Sequence, residues 1–330
     1  MDISVIVPIW NVEEYIERCL RSLFEQTKTD DVEFILVNDC TPDDSMVVAR
    51  RVIAEYPHLT VRVFEHSENL KAFNTRQTGL DAAVGEYTIQ IDADDWCEST
   101  MLEDLYAKAI ETDADIVYCD LYFGDDLAEC ILCRQPYCET GYECIEFMLN
   151  KFKMLPVLWN KLIRRDLFLR HNIDIRKGEL RNGQDFFACI RLFFFTDKIA
   201  YLPHPYCHYN SNNPSSLTKN ASFSELIVNQ VNAIEEFFVE NNCNYFNEYI
   251  LKHKVWRKTH WLRTNKNIKI QRVCIPYFPE VDEHILKSKQ FGYFPILYYL
   301  AIHGCLPLAN ILFKLSDWIK FRLLPLTKKI

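Results

Sequence analysis

The sequence lacks the glycine-rich loops that hold phosphate groups in the commonest nucleotide-binding proteins. No GxGxxG segment follows the first predicted strand, and no GxxxxGK segment followed by Ser or Thr occurs anywhere in the 330 residues. The first absence argues against a dehydrogenase and the second against a P-loop enzyme. A pyrophosphate bound without such a loop needs another positive partner, which a metal ion could supply.

Paired zinc motifs and a secretory leader are also missing. The thirteen cysteines are irregularly spaced, and Cys130 and Cys133 form a CxxC that has no second pair. The first five residues contain no basic stretch followed by an apolar one. We therefore predict reduced thiols and a cytoplasmic protein.

The charge of the chain is unevenly distributed. Although the formal net charge is −9, residues 251–330 contain 15 Lys and Arg against 4 Asp and Glu, whereas residues 1–250 contain 22 against 42. A basic tail on an acidic body predicts an anionic partner, either a membrane surface or a nucleic acid. Because helix-turn-helix, RNP and zinc-finger patterns are absent, we favour a membrane surface and predict no nucleic-acid partner.

The hydrophobic content of 49% is sufficient for a sizeable core, and strand-like and helix-like segments alternate along the first half. The predicted strands are Ile3–Val7, Val32–Val37, Thr60–Glu65, Tyr87–Ile91 and Ile116–Cys119. The predicted helices are Val12–Gln26, Met46–Tyr56, Thr75–Val84 and Met101–Glu111. This alternation predicts an α/β, Rossmann-like fold, with a mostly parallel sheet covered by helices on both faces.

Three polar segments follow the first, second and fourth predicted strands, at residues 8–11, 38–39 and 92–95. Because the carboxyl ends of such strands face one crevice, we expect these segments to converge. The third segment contains Asp92, Asp94 and Asp95. Carboxylates held so close together repel unless a divalent cation or a bound ligand neutralises them.

These segments resemble the motifs of family-two inverting glycosyltransferases, which have the GT-A fold and use nucleotide-activated sugars. In chain order the matching segments are residues 4–11 (SVIVPIWN), 35–43 (ILVNDCTPD), 68–69 (EN), 75–79 (TRQTG), 85–87 (GEY) and 92–95 (DADD). The whole resemblance covers about residues 3–217.

The resemblance assigns roles to several residues. It implies that the base and ribose of the nucleotide are held by Pro8, Trp10, Asp39, Arg76 and Asp92, and that Asp94 binds Mn²⁺ or Mg²⁺. Asp95 is a further candidate. On residue type alone, Asp39 could instead cap a turn or helix, and residues 92–95 could cap the helix predicted from Met101.

Several residues depart from the family pattern near this site, and Lys71 is one of them. Lys71 stands where the family commonly has Gly, so its side chain either adds a positive contact to the phosphates or lies in solvent. Lys71 is therefore a further candidate site residue.

The second half resembles the family in two more segments. Residues 156–165 resemble its WNKLFRR-like segment, which makes Trp159 a further candidate, and residues 181–187 resemble its G-E-D-x-x-F segment. Asp185 then occupies the position of the catalytic base, although it could instead cap the helix that follows. His208 could reach the metal or the phosphates, or could be structural.

The C-terminal region has its own pattern. We predict a GT-A domain over residues 1–217 and a helical extension over residues 218–330, with helices at Phe223–Glu240 and Tyr249–Thr264. Residues 291–313 contain no Asp, Glu, Lys or Arg. Gly304, Pro295 and Pro307 would interrupt a spanning helix, so an interfacial amphipathic anchor is favoured over a spanning segment or a buried subdomain.

Together these features predict metal-dependent, inverting transfer of a sugar from a nucleotide-sugar, a UDP-sugar by preference, to a glycan or lipid-linked glycan acceptor. The protein would be peripheral on the inner face of a bacterial cell membrane and would act in surface-polysaccharide synthesis. The alternatives are an inactive nucleotide-sugar-binding protein or a membrane-docked assembly protein. A carboxylate at Asp185 argues against both, because a protein that only binds needs no base.

Overall fold

The computed structural model describes residues 1–124, 130–151, 153–176, 184–211, 213, 223–264, 267–287 and 294–312. The chain forms two compact units, Met1–Ala221 and Ser222–Ile330. The predicted boundary after residue 217 lies outside the described residues, and the predicted domain limits stay a prediction.

The first half of the sheet is parallel. Its strands are β1 (Ile3–Ile9), β2 (Val32–Asn38), β3 (Thr60–Glu65) and β4 (Tyr87–Gln90), and they lie in the order β3-β2-β1-β4. In register, Ile3 of β1 lies opposite Val32 of β2 and Tyr87 of β4. The connecting helices are α1 (Ile16–Phe24), α2 (Ser45–Glu55) and α3 (Ala72–Ala82).

The apolar runs explain why these segments form central strands. Ile3, Val5, Ile6, Val7 and Ile9 of β1 are all fully buried, which is the pattern of a parallel strand covered on both faces. Such a strand exposes polar groups only where it ends, so the side chains available to a ligand follow β1, β2 and β4.

The second half of the sheet is mixed. After the two-residue β5 (Trp96–Cys97) and helix α4 (Met101–Thr112) come β6 (Ile116–Phe123), β7 (Ile131–Cys133), β8 (Lys161–Arg164) and β9 (Ile199–Tyr209). The sheet continues β4-β8-β6-β9-β5, and β7 pairs with Leu121–Phe123 at the end of β6, outside this order. Strand β8 runs antiparallel to both β4 and β6, whereas β9 is parallel to β6. The α/β prediction is confirmed, and the parallel arrangement holds for β3-β2-β1-β4.

Besides α4, the described residues of this second half form the helices α5 (Gly141–Glu146), α6 (Arg165–Arg170) and α7 (Gln184–Phe194). Helix α5 continues into a π-helical turn at Phe147–Lys151. Most of the side chains of α7 are buried, so its first turn is held firmly against the core.

The second compact unit is helical in its described part. It contains α8 (Phe223–Glu240), α9 (Asn247–Thr264), α10 (Ile268–Cys274), a 3-10 turn at Pro279–Val281, α11 (Asp282–Lys287) and α12 (Phe294–Ile302). The helices predicted at 223–240 and 249–264 are therefore confirmed. Among the residues described, no helix is both long and apolar enough to cross a bilayer.

The uncharged stretch is broken where the sequence predicts a break. Helix α12 ends before Gly304, which has a φ of +87°, and residues 306–312 are helical again. A glycine in this conformation commonly ends a helix. Residues 291–293 and 313–330, which complete the predicted anchor and tail, lie outside the described residues.

Candidate active site

The three predicted segments converge at the carboxyl ends of β1, β2 and β4. The backbone N–H of Asn11, after β1, donates to the hydroxyl of Thr41, after β2, over 2.8 Å. The segment after β4 joins them through Arg76 of α3, whose Nη2 lies 2.5 Å from an oxygen of Asp92. The predicted crevice is therefore present.

Arg76 links two carboxylates from distant parts of the chain. Besides its contact with Asp92, its Nη1 lies 3.5 Å from Oδ1 of Asp185, in the first turn of α7. Arg76 is only 8% exposed, and burial alone would lower its pKa, but the charges of Asp92 and Asp185 outweigh burial and raise the pKa. The structure thus brings together three residues that were predicted from separate motifs.

Asp185 is the second residue of α7, inside the helix and not at its N-cap position. Its Oδ1 is buried and makes no hydrogen bond within the described part of the chain. Burial raises the pKa of Asp185 against the opposing charge of Arg76, while the charge of Asp92 raises it further. A carboxylate with a raised pKa and an unbonded oxygen is suited to accept a proton.

Asp94 and Asp95 are held by the segment that follows β9. The amide Nδ2 of Asn213 donates to Oδ2 of Asp94 over 2.8 Å, and the backbone N–H of Asn210 donates to Oδ1 of Asp95 over 2.8 Å. Burial and the neighbouring carboxylates raise the pKa of both side chains. The N-cap residue of α4 is Thr100, so the carboxylates of residues 92–95 do not cap that helix.

The fit to a divalent cation can be judged from the donor atoms. Over the described ranges, no group of three or more His, Cys, Asp and Glu side chains is arranged to hold a metal ion. The oxygens of Asp92, Asp94 and Asp95 are nevertheless the ligand type that Mn²⁺ and Mg²⁺ prefer, and the buried Oδ2 of Asp95 has no hydrogen-bond partner among the described residues. The donor atoms are therefore of the right chemical type for a divalent cation, although they are not arranged as a complete ligand set.

His208 lies in a packed aromatic column. Its ring stacks on Trp96 at 3.6 Å between ring centroids and on Tyr122 at 4.8 Å, and its Nε2 lies 2.7 Å from a carboxylate oxygen of Glu98. It is fully buried. These contacts fix β9 against β5 and give a structural reason for His208, while its predicted role as a metal ligand stays a prediction.

Asp39 is 2% exposed and holds the loop that leads into α3. Its carboxylate accepts the backbone N–H groups of Leu70 and Lys71 at 2.8 and 2.9 Å and contacts Nδ1 of His66 at 2.8 Å. Lys71 is exposed and has a φ of +75° with a ψ of 158°, a conformation found essentially only in glycine. The aspartate therefore supports a strained turn at the edge of the crevice.

The remaining predicted residues differ in exposure. Pro8 is half-buried within β1, and Trp10, just beyond the strand, is 40% exposed and available to a planar ligand. Trp159 is instead packed in the core, stacked on Tyr209 with 5.7 Å between ring centroids. The structure therefore leaves Trp10 open to a ligand and packs Trp159 into the hydrophobic core.

Two glutamines near the crevice were not assigned to the site from the sequence, and they share one feature with Arg76. The side-chain oxygens of Gln90 and Gln184 and the Nε of Arg76 are buried without a hydrogen-bond partner in the part of the chain that is described. Gln90 precedes the carboxylates and Gln184 precedes Asp185, so sequence proximity was the available signal. Unbonded polar atoms concentrated at one place indicate a site that is completed by a polar ligand.

The chain is similar in sequence to a protein family and to individual known proteins. Residues 4–164 match the family model described as Glycosyl transferase family 2. The chain is 32% identical over 254 residues to EpsH of Bacillus subtilis strain 168, which is named as a glycosyltransferase, and the match covers 73% of this chain and 70% of EpsH. It is 28% identical over 268 residues to the cholesterol galactosyltransferase of Borreliella burgdorferi, covering 76% and 72%.

The fold also has a counterpart among solved structures. The crystal structure of S. aureus TarS 1-349 in complex with UDP-GlcNAc superposes with a TM-score of 0.68 and 19% sequence identity, covering 98% of this chain and 92% of that one. At this identity the likeness establishes the fold, which agrees with the predicted GT-A architecture.

Proposed function

The chain belongs to glycosyl transferase family 2, and from that membership we propose that it transfers a sugar from a UDP-sugar to an acceptor hydroxyl with inversion at the anomeric carbon. The observation that carries the proposal is the linkage of Asp92 and Asp185 through Arg76. It places a carboxylate with a raised pKa beside the residues assigned to the nucleotide.

In this mechanism Asp185 takes the proton of the acceptor hydroxyl as its oxygen forms a bond to the anomeric carbon. The bond between that carbon and the diphosphate oxygen breaks on the opposite face, and UDP leaves with the electron pair. Arg76 keeps Asp185 oriented and its charge compensated until the proton arrives. A divalent cation held by Asp94 would, when bound, neutralise the charge that develops on the diphosphate.

The nucleotide would lie along the crevice. We assign the base to Trp10, Pro8 and Asp39, the ribose to Asp92, and a contact with the phosphates to Lys71. Support comes from the exposure of Trp10 and from the UDP-GlcNAc that TarS binds in the same fold. For Asp95, the unbonded buried Oδ2 supports a role beside Asp94.

The acceptor is proposed to be a glycan or lipid-linked glycan at the inner face of a bacterial membrane, in surface-polysaccharide synthesis. Four apolar side chains of residues 294–312 are about half or more exposed: Ile296, Tyr299, Leu308 and Ile311. They lie in the basic region, which suits an anionic lipid surface. No disulfide forms among the described cysteines, which supports a reducing compartment, and one relative is named a cholesterol galactosyltransferase.

The proposal is tested by measuring UDP release from a panel of UDP-sugars, with Mn²⁺ or with a chelator, for the wild type and two variants. We expect turnover with one donor, its loss in Asp94→Ala, and a loss of at least 100-fold in Asp185→Asn, because a general base contributes about 10²–10⁴-fold. Donor binding should persist in Asp185→Asn.

The matched control is Asp166→Asn, an exposed aspartate that pairs with Arg170 of its own helix at 2.5 Å. Its turnover should equal that of the wild type. Donor binding without turnover in the wild type, unchanged in Asp185→Asn, would favour the inactive binding protein instead.

A further inference from the structure

Three successive backbone N–H groups after β1 donate to three side chains that lie between the end of β2 and the first residue of α2. The N–H of Asn11 donates to the hydroxyl of Thr41 at 2.8 Å, that of Val12 to the hydroxyl of Ser45 at 3.0 Å, and that of Glu13 to Oδ2 of Asp43 at 2.9 Å. We call Thr41, Asp43 and Ser45 the turn clamp. It joins the two loops that carry Trp10 and Asp39.

One carboxylate organises the turn clamp. Oδ1 of Asp43 accepts the hydroxyl hydrogens of Thr41 and Ser45, each over 2.6 Å, and also the backbone N–H of Ser45 at 3.2 Å. Because each hydroxyl proton is directed at Asp43, the lone pairs of both hydroxyls are free to receive the N–H groups of Asn11 and Val12. Without Asp43, both hydroxyls would lose the acceptor that orients their protons, and the N–H of Glu13 would lose its acceptor.

The turns that the clamp connects are ones the backbone does not favour by itself. Asn11 has a φ of +56° and Cys40 a φ of +54°, both in the left-handed region that is unfavourable for residues other than glycine. A left-handed residue other than glycine costs free energy and persists only where its surroundings hold it, so both turns need support from other contacts. Although partial burial raises the pKa of Asp43, its hydrogen bonds from Ser45, Thr41 and Glu13 lower it overall, as expected for a carboxylate that stays charged.

We propose that Asp43 is a positioning residue for the nucleotide: through the turn clamp it fixes the turn that presents Trp10 before the donor arrives. This inference rests on the proposed function, since the ligand is the nucleotide of the donor. Loss of the turn clamp then weakens donor binding, because the turn must become ordered when the ligand binds. The chemical step at Asp185 is unchanged.

The experiment uses the full chain and measures the Kd for UDP in the presence of Mn²⁺ by calorimetry, together with KM and kcat for the donor. We expect Asp43→Ala to raise the Kd and the KM about tenfold. This is the loss of affinity expected when one or two groups must become ordered on binding. The kcat at saturating donor should stay within about twofold of the wild type, since Asp43 does not touch the reacting atoms.

Two controls separate positioning from general damage. Asp44→Ala changes the exposed neighbour, whose side chain makes no capping bond to α2, and should bind UDP as the wild type does. Val52→Ala opens a cavity in the buried face of α2 and should lower the thermal midpoint without changing the Kd. If Asp43→Ala does not fold, Thr41→Val takes its place, because it removes only one of the three acceptors. It should raise the Kd about threefold, since less of the turn must become ordered on binding.

The outcomes are distinct. A wild-type protein that does not bind UDP contradicts the proposed function. A wild type that binds UDP, with Asp43→Ala and Thr41→Val binding equally tightly, overturns the role of the turn clamp alone. A fall in kcat at unchanged KM would show that Asp43 serves stability and not the nucleotide.

Discussion

At the scale of single residues, Lys71 shows a conflict between side chain and backbone. Its φ of +75° and ψ of 158° belong to a region that costs a non-glycine residue about 1–3 kcal/mol. The bonds from its N–H to Asp39 and Asn69 hold it there. A charged side chain is thus retained where glycine would be less strained, which is the physical basis for assigning Lys71 a contact with the phosphates.

A pair of substitutions at Lys71 separates strain from charge. Both Lys71→Gly and Lys71→Ala remove the ammonium group, but only glycine relieves the backbone. We expect Lys71→Gly to have a free energy of unfolding about 1 kcal/mol higher than Lys71→Ala, measured by urea denaturation. If the ammonium contacts the diphosphate, both variants should show the same increase in donor KM. Equal free energies of unfolding for Lys71→Gly and Lys71→Ala would contradict backbone strain at residue 71.

The residues of the site differ in how well the sequence reveals them. Arg76, Asp92 and Asp185 were predictable because each lies in a motif with a fixed order along the chain. Asn210 and Asn213, which bond to Asp95 and Asp94, were not, because nothing in an Asn-rich segment indicates which carboxylate it will meet. Such contacts depend on pairing between distant strands.

At the scale of elements, Glu33 joins three strands beneath the first half of the sheet. Its carboxylate accepts from the hydroxyl of Ser4 in β1 at 2.6 Å, from Arg62 in β3 at 2.8 Å and from the backbone N–H of Val84 at 2.8 Å. Burial raises the pKa of Glu33, but these hydrogen bonds outweigh burial and lower it. The order of strands β3, β2 and β1 is therefore secured by a charged group as well as by apolar packing.

The lowered pKa of Glu33 predicts a pH-dependent stability. The charged form stabilises the fold above the unfolded pKa of about 4.3, and this contribution is lost as the pH falls through the lower folded pKa. We expect Glu33→Gln to reduce the free energy of unfolding by about 1–3 kcal/mol at pH 7 and by less near pH 3, measured by urea denaturation. Glu65→Gln, at an exposed ion pair, is the control and should change little. A loss that is the same at both values of pH would contradict the charge-dependent role.

Elements with local signals were predicted well, and those with long-range partners were not. Helix α8 has the predicted limits, Phe223–Glu240, because the helical spacing of its apolar residues is a local signal that defines the helix. Helix α1 begins at Ile16 and not at the predicted Val12, since the backbone of residues 11–13 is bonded to the turn clamp. Strand β9 was missed because its 11 residues include Pro203 and Pro205, which are uncommon in strands, and because its partner β6 is distant in sequence.

At the scale of the whole molecule, the proposed attachment to lipid depends on the exposed apolar residues of the second compact unit. Ile296 of α12 and Val47 of α2 are both 66% exposed, so they form a matched pair on different units. We expect the full chain to sediment with vesicles that contain anionic lipid, and Ile296→Asp to reduce the bound fraction at least threefold, because burial of an isoleucine in the interface contributes roughly 1.5–3 kcal/mol.

The control for this prediction is Val47→Asp, which introduces the same charge at the same exposure outside the proposed anchor. Its bound fraction should equal that of the wild type. An equal loss in both variants would indicate a general effect of added negative charge, and no loss in Ile296→Asp would contradict a membrane contact at α12.

The pairing of β5 with β9 has a consequence for the synthesis of the protein. Trp96, next to the carboxylates, lies opposite His208, so the two sides of this contact leave the ribosome more than a hundred residues apart. Strands β1 to β4 can assemble early, but the segment that bonds to Asp94 and Asp95 arrives only after β9. The carboxylate cluster is therefore the last part of the crevice to mature, and a nascent chain that is stalled before residue 209 has a nucleotide crevice whose acidic side chains are not yet held in place.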